Sequence, residues 1–127
     1  MRIAIIDYGA GNTQSVKYAL KRLGCEGVLT SDKEVISNSD KVIFPGVGQA
    51  SSAMNKLQSE GLDLLIPNLK QPVLGICLGM QLMCNFSEEG NTECLKIFNS
   101  KVKKFDNSLK VPQVGCNTIF DLKTSLV

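Results

Sequence analysis

Three apolar runs in this chain each end in a glycine-bearing turn that gives way to helical spacing, and this rhythm limits the possible folds more than any other feature. Arg2 to Asp7 is β-branched and apolar, which suits a strand buried on both faces. Tyr8-Gly9-Ala10-Gly11-Asn12 then turns the chain. Asn12 or Thr13 can cap a helix whose apolar positions Val16, Ala19, Leu20 and Leu23 are helically spaced, with Gly24 as the stop. Val28 to Thr30 reads as a short strand and Ser31 to Ser39 as a polar connection. Val42-Ile43-Phe44 is the next buried strand, ended by Pro45-Gly46-Val47-Gly48. Ala50, Ala53, Met54 and Leu57 mark an amphipathic helix that Gly61 closes. Leu62 to Leu69 continues helically, although Pro67 must end that stretch or start a new turn. Val73-Leu74 leads through Gly75-Ile76-Cys77 into a helix running to about Phe86. Strands alternating with helices in this way predict an α/β fold with a doubly wound, mostly parallel sheet. Beyond Gly90 the pattern changes. Ile97, Val102 and Phe105 among lysines suggest strands or a hairpin-like segment, Pro112 to Asn117 a turn, and Thr118-Ile119-Phe120 a last short strand.

A chain of 127 residues supports one core, so 1–127 is read as a single domain. Its net charge of +2 carries no nucleic-acid footprint. Lys101, Lys103, Lys104 and Lys110 do cluster, but without interleaved aromatics, and they read as solvated positions. No apolar run approaches a membrane span, and the opening residues reach Asp7 too soon for a secretory signal. The five cysteines (Cys25, Cys77, Cys84, Cys94, Cys116) are odd in number and lack Cys-x-x-Cys spacing. That argues against a disulfide framework or a thiolate metal site and fits a reducing cytoplasm.

In a doubly wound sheet ligands bind beyond the carboxyl ends of the strands. Asp7 to Asn12, Pro45 to Gly48 and Cys77 all fall there, so three loops distant in sequence converge. Gly75-Ile76-Cys77-Leu78-Gly79-Met80-Gln81 has the form of a nucleophile on a sharp strand-to-helix turn, with glycines two residues either side of the sulfur. The alternative is a buried cysteine acting as a small hydrophobe. The glycines of Pro45-Gly46-Val47-Gly48 can turn backbone N–H groups towards an oxyanion, or can simply make a tight turn. Gln81 lies one helical turn after Cys77 and can reach a substrate there, or can face water. Glu88 and Glu89 can bind a substrate ammonium or stand as a solvated pair. Gly9-Ala10-Gly11 fails as a dinucleotide fingerprint, because Gln14 occupies the place of the third glycine; no cofactor is expected. The chain has no histidine, yet a cysteine nucleophile usually needs an imidazole to take its proton.

Taken in order and spacing, Ile5-Ile6-Asp7-Tyr8-Gly9-Ala10-Gly11-Asn12, Phe44-Pro45-Gly46-Val47-Gly48, Gly75 to Gln81 and Ser87-Glu88-Glu89-Gly90 are more specific together than singly. The chain resembles the glutaminase subunits of imidazole glycerol phosphate synthases, class I (triad) glutamine amidotransferases of histidine biosynthesis. The resemblance covers almost the whole chain, through Lys110-Val111-Pro112 and Gly115-x-Asn117. It implies that Cys77 attacks the glutamine carboxamide, releases ammonia and leaves a thioester that water hydrolyses. It also implies that Gly46, Val47 and Gly48 with the Leu78 N–H form the oxyanion hole, and that Gln81 and Glu89 hold glutamine. The implied partner is a (βα)8-barrel cyclase subunit that receives the ammonia and yields imidazole glycerol phosphate and an aminoimidazole carboxamide ribotide, with Asn12, Gln113 and Asn117 at or near the interface.

Three departures accompany the resemblance. The family's catalytic His and Glu lie in a later segment that the chain does not contain, Cys116 stands at the usual Trp, and Gln113 stands at a frequent His. The domain is therefore expected to be incomplete at its C-terminal side, with an open sheet edge and an uncovered apolar face. A buried Cys116 would leave a void costing roughly 2–4 kcal/mol. Glutaminase activity of the chain alone is expected to be nearly absent. The competing readings are a non-catalytic docking remnant and the glutaminase of another triad amidotransferase; a flavodoxin-like phosphate binder is the weakest, since no complete phosphate loop is present.

Overall fold

The computed structural model describes residues 1–112 and 114–121. At its centre is β1 (Ile3–Ile6), flanked in parallel by β2 (Gly27–Thr30) and β3 (Lys41–Phe44); β4 (Val73–Gly75) extends the sheet beyond β3, giving the order β2-β1-β3-β4. All four residues of β1 are buried, as a central strand covered on both faces requires. Alternate side chains divide between two cores. Ile3, Ile5 and Ile43 meet Leu20 on one face, whereas Ala4, Ile6, Val42 and Phe44 join the larger core on the other. The sheet is therefore doubly wound and parallel, as the alternating pattern predicts.

Helix α1 (Thr13–Arg22) covers the smaller core, and Asn12 caps it by accepting the Ser15 N–H at 3.1 Å. Ala50–Glu60 forms the helix closed by Gly61, whose φ of +64° is left-handed; Ala53, Met54 and Leu57 face the larger core. Pro67 acts as the sequence suggests: Leu62–Leu65 is α-helical, and Ile66–Asn68 tightens into a 3-10 turn with Pro67 in its first positions.

Several expectations are corrected. Residues 31–39 are not merely a connection, because Lys33–Ser37 is a short helix, α2, between β2 and β3. Asp32 accepts the Glu34 and Val35 N–H groups at 2.8 and 3.1 Å, and Ile36 alone anchors the helix in the core. One apolar contact in five residues gives too little periodicity to read. With α3 (Ala50–Glu60) and α4 (Leu62–Leu65) numbered in order, the helix after Cys77 is α5, and it spans only Leu78–Leu82. It stops because residues 95–98 return beside it. Their N–H groups donate to the carbonyls of Leu82, Met83 and Cys84, and Phe86–Ser87 becomes strand β5 instead. β5 pairs with β6 (Thr92–Glu93) antiparallel and with β7 (Lys101–Val102) parallel in a second small sheet. Phe105 lies outside any strand. Residues 118–120 are not a strand either; Ile119 and Phe120 stand exposed without a pairing partner. The turn expected over Pro112 to Asn117 falls partly on Gln113, which lies outside the described residues; residues 114–117 have no regular structure. Among the described residues β4 is a sheet edge, and Leu74 on it is exposed.

One backbone approach sets how α5 sits on the sheet. A Cβ on Gly79 would overlap the Phe44 carbonyl oxygen, a backbone atom held in the β3 region and unable to swing aside. Replacing Gly79 by alanine is expected to destabilise the fold by at least ~3 kcal/mol, in the range of severe core overpacking. Gly24→Ala, which meets only a left-handed φ of +70° and open space, is expected to cost about 1–2 kcal/mol. Urea unfolding of the two variants beside the parent checks this order.

Candidate active site

The turns after β1, β3 and β4 meet at the carboxyl edge of the large sheet. Cys77 sits between β4 and α5 at φ +53° and ψ −119°, a conformation that costs a non-glycine residue energy and persists only where its surroundings impose it. Its side chain is exposed, which sets aside the alternative of a buried cysteine serving as a small hydrophobe. Glycine is needed on both sides. A Cβ at Gly75 would lie 2.7 Å from Met80 Cα, and one at Gly79 is excluded by the Phe44 carbonyl. The Ile76 N–H donates to that same carbonyl at 2.9 Å, so the turn is fastened to the end of β3.

Gly46 belongs to the loop leaving β3 and lies directly against this turn. A Cβ there would be 2.5 Å from Gly79 N and 3.0 Å from Leu78 C. Val47 is exposed, and Gly48 adopts a φ of +99° that only glycine holds easily. Leu78 is buried, and its N–H is the first of α5, one of the donors a helix cannot satisfy internally. Gly46 is thus packed against Leu78 and the Cys77 turn, with Val47 and Gly48 following it in the same loop.

Gln81 is half buried, and its backbone N–H donates to the Cys77 carbonyl at 3.1 Å. It lines an open cavity of about 390 Å³ together with Ser87, Glu88, Glu89, Lys104 and Phe105. Cys77 is not part of that lining. Both acidic residues have partners within the protein. Glu88 accepts the Lys104 N–H at 2.7 Å, and Glu89 accepts the Ala50 N–H at 3.0 Å, capping the helix that follows the glycine loop. They follow β5 and not the end of the α5 helix. Asn12 is exposed at the α1 cap and Asn117 is exposed near the end of the described chain; Gln113 lies outside the described residues. Cys116 is exposed, so the void expected from a buried position does not arise. Among the described residues no group of three or more His, Cys, Asp or Glu could hold a metal ion, and no helix is long and apolar enough to cross a membrane.

The sequence reading missed the part played by Tyr8. Its ring is buried, tilted at 51° to Phe44 with centroids 5.5 Å apart, and its hydroxyl donates to the Pro45 carbonyl at 2.9 Å. Burial, reinforced by the nearby Cys77, pushes its pKa up to about 12. The only signal was a tyrosine directly after a buried strand, at the end where ligands gather.

The glutamine amidotransferase class-I family model matches residues 4–125. "Imidazole glycerol phosphate synthase subunit HisH" of Bacteroides fragilis (strain YCH46) is 60% identical over 129 aligned residues, covering 99% of this chain and 66% of that one. The protein of the same description from Haemophilus influenzae (strain ATCC 51907 / DSM 11121 / KW20 / Rd) is 49% identical, covering 94% of this chain and 60% of that one. The chain thus spans 60–66% of the length of these relatives. A solved structure described as "Crystal structure of glutamine amidotransferase" superposes with a TM-score of 0.66 at 20% identity, covering 79% of this chain and 55% of that one, a likeness of fold alone.

The Tyr8 hydroxyl gives the fold a pH dependence of known sign. An unfolded tyrosine titrates near 10, and Tyr8 in the folded protein near 12, so folding favours the protonated hydroxyl. Its contribution is complete below about pH 10 and is lost as pH rises towards about 12, on the order of 2–3 kcal/mol in all. Unfolding free energies measured across that window should fall less steeply in Tyr8→Phe than in the parent.

Proposed function

Because the chain belongs to the class-I glutamine amidotransferase family, we propose that it carries the nucleophile half of a glutaminase site, in the subunit that supplies ammonia to imidazole glycerol phosphate synthase. The observation that carries this reading is Cys77, exposed and held at positive φ on the strand-to-helix turn against the glycine loop. The sulfur attacks the side-chain carbonyl carbon of glutamine. Negative charge gathers on the carbonyl oxygen, where the Gly46–Gly48 backbone and the Leu78 N–H receive it. The amide nitrogen leaves as ammonia once protonated, and water cleaves the γ-glutamyl thioester to glutamate and free thiol. Gln81 and Glu89 hold the substrate's amino-acid end, which requires Glu89 to exchange or share its bond to Ala50.

Ammonia then passes to a (βα)8-barrel cyclase subunit in the cytoplasm, docked near Asn12, Gln113 and Asn117. Within residues 1–127, read as one domain, there is no imidazole to take the thiol proton. Loss of a general base typically lowers a rate by roughly 10²–10⁴-fold, so these residues by themselves hydrolyse glutamine at close to background rate. The same lack of histidine favours a second reading, in which the chain keeps a partner-docking face without turnover.

Two measurements test the assignment. L-Glutamine should slow iodoacetamide labelling of Cys77 while D-glutamine does not; equal rates would remove glutamine as the ligand. Glutamate release by the chain, with and without a barrel-type cyclase and its ribonucleotide ligand, should stay near the Cys77→Ser background. Fast release by the chain alone that disappears in Cys77→Ser would mean that a proton acceptor other than imidazole serves this site.

A further inference from the structure

The glycine loop has to keep its place relative to Cys77, and one buried side chain is placed to enforce that. The Tyr8 hydroxyl donates to the Pro45 carbonyl at 2.9 Å, and its ring is only 4% exposed. The Pro45 carbonyl shares a peptide plane with the Gly46 N–H, and a planar peptide cannot turn one group without turning the other. A hydrogen bond made in a site closed to water therefore fixes the direction in which the loop leaves β3. Gly46 is also packed between Tyr8 and the Cys77 turn: a Cβ added there would meet the Tyr8 hydroxyl at 2.7 Å and Gly79 N at 2.5 Å. The Tyr8 ring is itself held against Phe44, the residue whose carbonyl receives the Ile76 N–H. One side chain thus touches both the loop and the end of the strand to which the nucleophile turn is fastened.

From this arrangement we infer that Tyr8 is a positioning residue, holding the Pro45–Gly46 peptide so that the Gly46–Gly48 backbone is set to receive an oxyanion formed at Cys77. The inference rests on the glutaminase reading for its substrate, although the oxyanion function itself needs only a carbonyl compound at the sulfur. Tyr8 touches no reacting atom. Its hydroxyl remains a donor at ordinary pH, and its effect passes through the loop.

The test separates the sulfur's own reactivity from stabilisation of an oxygen. Iodoacetamide alkylates Cys77 by direct displacement and builds no oxyanion. A short aliphatic aldehyde adds reversibly: the sulfur–carbon bond forms, the carbonyl π pair moves to oxygen, and the thiol proton ends on that oxygen. The affinity of the aldehyde, read from its protection of the Cys77 peptide against iodoacetamide, reports the loop. In Tyr8→Phe the affinity should fall by about tenfold, less than the roughly 10²–10³-fold rate loss that follows removal of a direct oxyanion donor, while the iodoacetamide rate stays within about twofold. An unchanged aldehyde affinity, or an equal loss in both reactions, overturns the inference. Should Tyr8→Phe fail to fold, fluorotyrosine at position 8 in a Tyr18→Phe background keeps the hydroxyl and gives a fluorine resonance. That resonance should move on aldehyde addition by more than on alkylation; equal or absent shifts overturn the inference. Failure of L-glutamine to protect Cys77 would instead defeat the substrate assignment and leave the aldehyde comparison intact.

Discussion

The arrangement at this site depends on how closely α5 approaches the end of β3. Gly79 lies so near the Phe44 carbonyl that no side chain fits between them, and the same carbonyl receives the Ile76 N–H. Gly46 makes the matching approach from the loop side, against Gly79 N and Leu78 C. Two glycines and one carbonyl therefore draw a helix start onto a strand end and its loop that lie more than thirty residues earlier in sequence. The strain at Cys77 follows from this. A residue at φ +53° persists because the strand before it is hydrogen-bonded to β3 and the helix after it is pressed onto the same strand end.

The two cores support that junction from below. Alternation along β1 and β3 sends Ile3, Ile5 and Ile43 to one face and Ala4, Ile6, Val42 and Phe44 to the other. The larger core also includes Leu78 and Leu82, so the helix that presents the sulfur belongs to the best-buried part of the molecule. Its exposed parts, Cys77 and Met80, face outwards from a packed base. A turn on a rigid support keeps its geometry, and such scaffolds are where binding and catalytic loops are commonly carried.

Much of this was legible in the residues. Uniform β-branched runs marked the parallel strands, and the glycine at position 61 marked a helix end because a left-handed C-cap suits no other residue as well. The site loops could be grouped because they all follow strands in a sheet of known handedness and direction. What stayed hidden depended on contacts remote in sequence. The early end of α5 is set by residues 95–98 taking the carbonyls of Leu82 to Cys84, and no local pattern announces a competing donor. Helix α2 depends on the Asp32 cap and the single anchor Ile36. The bond between Glu89 and the Ala50 N–H joins residues thirty-nine apart, so Glu89 read only as a ligand for substrate or as a solvated acid. Tyr8 read as part of a turn, because its hydrogen bond to Pro45 spans thirty-seven residues.

The protonation of the site can be argued from the groups that surround it. Nucleophilic attack by a thiol needs somewhere for its proton to go, and these residues include no imidazole. Tyr8 is a buried titratable side chain in the loop junction, but with a pKa near 12 it is a proton donor at ordinary pH and is already bonded to Pro45. Glu88 and Glu89 are each engaged within the protein, accepting the backbone N–H groups of Lys104 and Ala50 respectively. On the proposed reading, the described residues would hold charge on oxygen more completely than they would carry the proton away. Such a division is physically coherent. An oxyanion hole is built from backbone geometry, of the kind packing can fix, whereas a general base needs a titratable group at a set distance from the sulfur. The first can be complete within one half of a site, and the second can be brought to it by another segment.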